Sequence, residues 1–204
     1  MSIVTLNDRA VRSVTTFGSV SGGSMVFIKK LTASSSASLS FVNGSSDVVL
    51  DSTYKEYMFT FKNIHAGTDG AELTVGFRDG STDYDATKTT TVFEAYYNEA
   101  GNDSGVAYQT AEDLAQATGF QNISKNLGTD NDQNAGGYLH LFNPSSTTFV
   151  KHFISRLNNY QHNEYSLDYY VAGYCNVTTA IDAVQFKMSS GNIDSGDICL
   201  YGIL

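Results

Sequence analysis

The stretch that most constrains what this chain can fold into is its closing one. Val184-Gln185-Phe186-Lys187-Met188 and Asp197-Ile198-Cys199-Leu200-Tyr201-Gly202-Ile203 both alternate in character, and residues 189–196 between them are rich in Ser, Gly, Asn and Asp. Alternation with a period of two marks a strand with one face in a core and the other in water. A core strand this late in the sequence is expected to complete a sheet begun far upstream. One closed β-structure is therefore expected over the whole length.

The same signal recurs upstream. In residues 56–64, Tyr57, Phe59 and Phe61 oppose Met58, Thr60 and Lys62; in 72–78, Leu73, Val75 and Phe77 oppose Glu72, Thr74 and Gly76, and the turn dipeptide Asp79-Gly80 follows. Further strands are expected at 25–31 and 37–42 around Ser34-Ser35-Ser36, and at 89–97, 138–142, 149–157, 167–177 and 183–188. Pro144 lies between two alternating runs and marks a bend, because proline cannot serve a central strand. It is the one proline of 204 residues, and 18 glycines share the turns with Asn, Asp and Ser. The 12 Phe and 13 Tyr supply a core without Trp, and aromatic side chains suit a pleated surface.

Two regions break the pattern. Residues 98–136 lose the alternation, and 111–117, ended by Gly119, is the one stretch that reads as helix. So long a connection normally carries function or a contact surface. Residues 1–23, with Arg9, Arg12 and Phe17, have no sustained period and read as an N-terminal arm. Such a segment is either an arm reaching onto a neighbouring subunit or a disordered terminus. The expectation is an all-β, jelly-roll-like antiparallel β-sandwich of nine or ten strands with a short helix, occupying 24–204 as a single domain.

Composition excludes several functions. The net charge of -9 is scattered through the loops, which opposes binding to nucleic acid; Lys29-Lys30 and Lys151-His152 are too small to reverse it. No run approaches 18 apolar residues, so no membrane span is expected. The N-terminus lacks a basic cluster followed by an apolar run, which argues against a secretory signal and for synthesis in a cytoplasm. Cys175 and Cys199 fall on different expected strands; a disulfide requires those strands to be neighbours, and reduced buried thiols are the default.

Sites with chemistry are few. Asp130, Asp132 and Asn134 alternate as calcium ligands do, but Ala135 stands where the turn glycine belongs and Leu141 where an acidic ligand belongs. A solvated turn is the preferred reading. His140 and His152 would fall almost opposite each other in a hairpin, yet two imidazoles with no third ligand are a poor metal site. Glu94 and Glu99, near Tyr96 and Tyr97, are the only carboxylates that invite comparison with a glycosidase pair. No nucleophile, zinc-protease or phosphate-loop motif is present, so no catalytic, cofactor or metal residue is assigned and the chain is read as no enzyme. Tyr160, Tyr165, Tyr169, Tyr170 and Tyr174 cluster with Asn158, Asn159, His162 and Asn163. Amphipathic rings among amides suit a subunit interface or a sugar-stacking surface, and equally the two faces of sandwich strands.

Several segments together resemble a family of roughly 200-residue virion structural proteins from tailed phages of marine bacteria. They are Met25-Val26-Phe27-Ile28-Lys29, Leu50-Asp51-Ser52-Thr53-Tyr54-Lys55-Glu56-Tyr57, Phe59-Thr60-Phe61-Lys62-Asn63-Ile64-His65, Gly137-Tyr138-Leu139-His140-Leu141-Phe142-Asn143-Pro144-Ser145-Ser146-Thr147-Thr148, and Ser189-Ser190-Gly191-Asn192-Ile193 through Leu200-Tyr201-Gly202-Ile203. The likeness runs from about residue 25 onward, and its final motif is also seen in other phage β-modules. The resemblance implies a non-enzymatic virion protein on the capsid (decoration or cement) or the tail, made and assembled in the host cytoplasm. It implies assembly with other virion proteins and a homo-oligomer, a trimer by analogy, with no catalytic residues. The alternative is a receptor- or carbohydrate-binding tail or fibre module that uses residues 158–174 against a host-surface glycan.

Overall fold

A computed structural model of the protein describes residues 24–204, so the arm expected at 1–23 lies outside the described residues. The strands are β1 (Met25–Ser36), β2 (Leu39–Val42), β3 (Glu56–Ala66), β4 (Leu73–Arg78), β5 (Lys88–Asn98), β6 (Ser104–Tyr108), β7 (Gln121–Asn122), β8 (Ala135–Phe142), β9 (Lys151–Tyr160), β10 (Tyr165–Cys175), β11 (Ala183–Met188) and β12 (Ile193–Ile203). They form two sheets: eight strands in the order β1-β12-β3-β8-β9-β10-β5-β6, and four in the order β2-β11-β4-β7. Neighbouring strands within each sheet run antiparallel.

The topology resolves into a frame and two insertions. Without β5, β6, β9 and β10, two four-stranded sheets remain, β1-β12-β3-β8 and β2-β11-β4-β7. The first strand pairs with the last and the second with the penultimate, the nested arrangement of a jelly roll. Hairpin β5–β6 enters between β4 and β7, hairpin β9–β10 between β8 and β11, and both widen the large sheet beyond β8.

Inside the frame the alternating aromatics meet. Phe186 from the small sheet lies 5.3 Å from Phe59 and 5.2 Å from Phe61 of the large one, edge to face, and 6.3 Å from Phe41. Removing each such ring from water is worth roughly 1.5–3 kcal/mol. The closing strand β12 sits between β1 and β3 and puts Ile198 and Leu200 into this core, as the alternation requires.

The helix expected at 111–117 does not form. Lys88 and Ala117 exchange backbone hydrogen bonds of 2.8 and 3.0 Å, the Thr90 amide donates to the Leu114 carbonyl at 2.9 Å, and the Leu114 amide donates to Thr90 Oγ1 at 2.8 Å. Those cross-chain bonds use the groups a helix needs, and Gln116 has a left-handed φ of 51°. The segment is an irregular strap of turns and bends along β5. The serine run is no turn either, because β1 continues to Ser36, which pairs with Ile193.

Four strands cannot cover eight. At the widened part of the large sheet, residues 109–134 run along β5, pass through the short strand β7 of the second sheet and continue as irregular chain that closes the inner side. Ile123 and Leu127 join the core from this segment, and part of its cover is polar: Thr90 Oγ1 donates to Gln121 Oε1 at 2.6 Å, and Asn159 Nδ2 donates to the Lys125 carbonyl at 2.9 Å. Thr90, Glu94, Gln121, Gln133, Asn159 and Gln161 are all buried there.

Candidate interaction face

The outer face of the widened sheet carries the chemistry that stands out. The strand registers place Tyr138, Arg156, Tyr170, Phe93 and Tyr108 opposite one another in succession, one from each of β8, β9, β10, β5 and β6. Phe93 and Tyr170 stack at 4.5 Å with planes 6° apart, and the Arg156 guanidinium carbon lies 4.9 Å from the Tyr170 ring centre. Arg156 also grips Asp168 with three contacts of 2.6 to 3.2 Å, and the Tyr170 hydroxyl donates to the same carboxylate at 2.9 Å. Those hydrogen bonds hold the Asp168 carboxyl below the usual carboxylate range. The centre of the face is thus electrically balanced in a chain of net charge -9.

Much of this surface is left open to water. Val106 is 76% exposed, Tyr108 56%, Tyr97 55%, Ile154 49% and Phe93 41%. Scattered single apolar residues on a surface are ordinary, but a contiguous set on one sheet face marks a contact site. A hollow of about 180 Å³ opens between Phe93, Tyr138, Ile154 and Tyr170. Gly137 shapes the β8 side: a Cβ there would lie 2.2 Å from the Arg156 carbonyl oxygen, so only glycine lets β8 approach β9 this closely. At the far edge of the large sheet Met25 and Phe27 are exposed on the same outer row, with Phe27 edge-on to Tyr201 at 5.7 Å.

The tyrosine cluster read from sequence divides between the faces. Tyr170 belongs to the aromatic row, Tyr174 faces His152 at 5.9 Å, and Tyr165 donates to Asp103 at 2.7 Å. Tyr169 points inward and is fully buried, so it is no surface residue; its hydroxyl has no hydrogen-bond partner, and burial pushes its pKa well up. Tyr160 remains at the surface on a row Tyr160–Ser166–Tyr97, so Tyr97 joins it although the sequence reading placed that residue beside a carboxylate pair. A hollow of about 350 Å³ lies there, lined by Tyr97, Asn98, Glu99, Asn158, Asn159, Tyr160 and Ser166.

The remaining candidates are not assembled into sites. Glu94 is inward and beside Lys125 at 3.5 Å, whereas Glu99 is exposed at the outer hollow, so they do not pair. Another pair does meet: Asn122 Nδ2 donates at 2.6 Å to both Glu72 and Glu112. The amide occupies the space between those carboxylates. Residues 130–133 close as a turn, the Gln133 amide donating to the Asp130 carbonyl at 2.9 Å, and Asn134 Nδ2 turns back to the Asp132 carbonyl. His140 pairs across the hairpin with Ile154, not His152, and its ring bonds Glu56. Among the described residues, no three His, Cys, Asp or Glu side chains are placed to hold a metal.

Cys175 and Cys199 are buried and free, with β3, β8 and β9 between their strands. Cys175 stands on an inward row between two buried lysines, Lys88 and Lys151. Burial pushes its thiol up to about 12 despite both ammonium groups, so it is no nucleophile at neutral pH. The lysines clamp loops: Lys151 Nζ donates to the Val177 and Thr179 carbonyls at 2.9 and 2.5 Å, and Lys88 Nζ to that of Ala86 at 2.6 Å.

No protein-family model matches the chain, and a search of curated proteins finds no match either.

Proposed function

We propose that the chain is a structural protein of a bacteriophage virion, carried on the capsid as a decoration or cement protein or on the tail, and that it works by assembling. The observation that supports this reading is the open aromatic face of the widened sheet, alongside the family resemblance of residues 25–204. Five strands at about 4.8 Å spacing and six residues along each give a patch on the order of 400 Å². A stable specific contact buries about 800 Å² on each partner, so one such patch gives weak association. Closing a ring lets every copy use two contacts.

A cyclic trimer needs two different patches on each copy. The exposed aromatic row and the exposed Met25 and Phe27 of the β1 edge are the candidates for them. Other virion proteins are the remaining partners. Proteomics and antibody labelling of purified particles test the assignment: many copies on the particle surface are expected, and absence from intact particles contradicts it.

The second reading, a carbohydrate-binding tail or fibre module, draws support from the hollow between Tyr97 and Tyr160.

A further inference from the structure

We infer that this hollow binds one uncharged pyranose ring of a saccharide. The inference deepens the carbohydrate reading, rests on it, and does not depend on assembly. Its first support is spacing. Tyr97 and Tyr160 stand on strands β5 and β9 of the same row, with the small Ser166 of β10 between them. Two interstrand steps put the bases of these side chains about 9.6 Å apart. A ring touching both walls at van der Waals distance, about 3.5–4.0 Å on each side, needs about 7–8 Å, and the pucker of a saturated ring takes up the rest. Tyrosine faces offer the negative π surface that the C–H face of a sugar meets.

The second support is a polar floor that is already held in place. Asn158 Nδ2 donates to Ser166 Oγ at 3.2 Å and to the Leu167 carbonyl at 2.9 Å. This leaves the Asn158 carbonyl oxygen and the Ser166 hydroxyl proton for ligand hydroxyls. Asn98 Oδ1 accepts from the Asn102 and Asp103 amides at 3.1 and 3.0 Å, and the Glu99 amide donates to the Glu164 carbonyl at 3.0 Å. The floor and the 98–99 backbone beside it are therefore held before a ligand arrives, which lowers the ordering cost of binding.

The third support is charge, and it sets the ligand class. Glu99 lines the hollow with Tyr160, and Glu99, burial and the charges of Asp132 and Glu164 raise the Tyr160 pKa. A uronate, sialate or phosphate entering this site meets those carboxylates. A neutral hexose meets acceptors for its hydroxyls.

Titration calorimetry of the full chain with neutral hexose oligomers (maltohexaose, cellohexaose, galactan fragments) and with polygalacturonate tests the inference. At least one neutral oligomer is expected to bind and the uronate not to. Tyr97→Ala and Tyr160→Ala are each expected to weaken binding about tenfold, while Tyr97→Phe keeps it. Light scattering and thermal melts of the same variants separate this site from assembly and folding. Lost binding at unchanged size and melting temperature supports the inference. No neutral oligomer binding at millimolar concentration, wild-type affinity in both alanine variants, stronger binding of the uronate, or loss seen only when size or melting also changes overturns it.

Discussion

The two halves of the large sheet are closed from inside in different ways. Over β1-β12-β3-β8 lies a second sheet, and the inward positions are Phe59, Phe61, Leu139, Ile198 and Leu200. Beneath β9-β10-β5-β6 much of the cover is a strap, and Thr90, Glu94, Asn159 and Gln161 lie buried against it. On the frame, apolar positions face in. On the extension Val92, Phe153, Leu157, Leu167, Tyr169 and Val171 also face in, but Phe93, Tyr97, Val106 and Ile154 add an apolar outer side. The extension thus has an apolar inner side interrupted by buried polar groups, and an outer side on which aromatic rings remain open to water.

Mutations sharpen this contrast. Phe186→Ala, which empties the aromatic centre of the frame, is expected to cost about 3–5 kcal/mol in urea unfolding. Phe93→Ala on the open face is expected to cost about 1 kcal/mol. Equal losses would remove the distinction between the faces. In the strap, Thr90→Val removes the bonds to Gln121 and from the Leu114 amide. The loss is expected to be about 1–3 kcal/mol, with faster amide exchange centred on residues 109–122. An unchanged exchange pattern would mean that the strap is held otherwise.

The smallest effect depends on pH. Burial and the neighbouring Glu112 raise the Glu72 carboxyl above its ordinary 4.5. The folded chain then holds that proton more tightly than the unfolded chain, so this group favours folding at low pH and the advantage is lost as pH rises through the folded value. Glu72→Gln is accordingly expected to raise the melting temperature slightly at pH 7, with the gain vanishing below about 4.5. Melts across that range check it; a gain independent of pH would contradict it.

How far the sequence could be read follows the same division. The frame strands were legible because Tyr57, Phe59 and Phe61 alternate with polar partners, and β11 falls at 183–188 as expected. Strands β6 and β7 were not, because Ser104–Tyr108 is short and Gln121–Asn122 pairs through amides without apolar periodicity. The helical reading of 111–117 failed for that reason too: its Ala and Leu residues fit a helix locally, but Thr90 and Lys88 offered stronger partners from across the sheet. Of the tyrosine cluster named from sequence, Tyr160 and its neighbour Asn158 line the outer hollow, whereas Tyr169 is buried. In β5, Glu94 faces in and Phe93 out, the reverse of the usual rule, so Tyr97 could be placed only once the register was known.

The central claim is that the open aromatic face is a contact surface between copies of the chain. Sedimentation velocity over a wide micromolar range, on wild type and on the double variant Phe93→Asp with Ile154→Asp, tests it most directly. Wild type is expected to grow with concentration to a closed species of about three protomers, while the variant stays monomeric with its fold intact. A wild-type monomer at every concentration, or a variant that assembles as well as wild type, would contradict it.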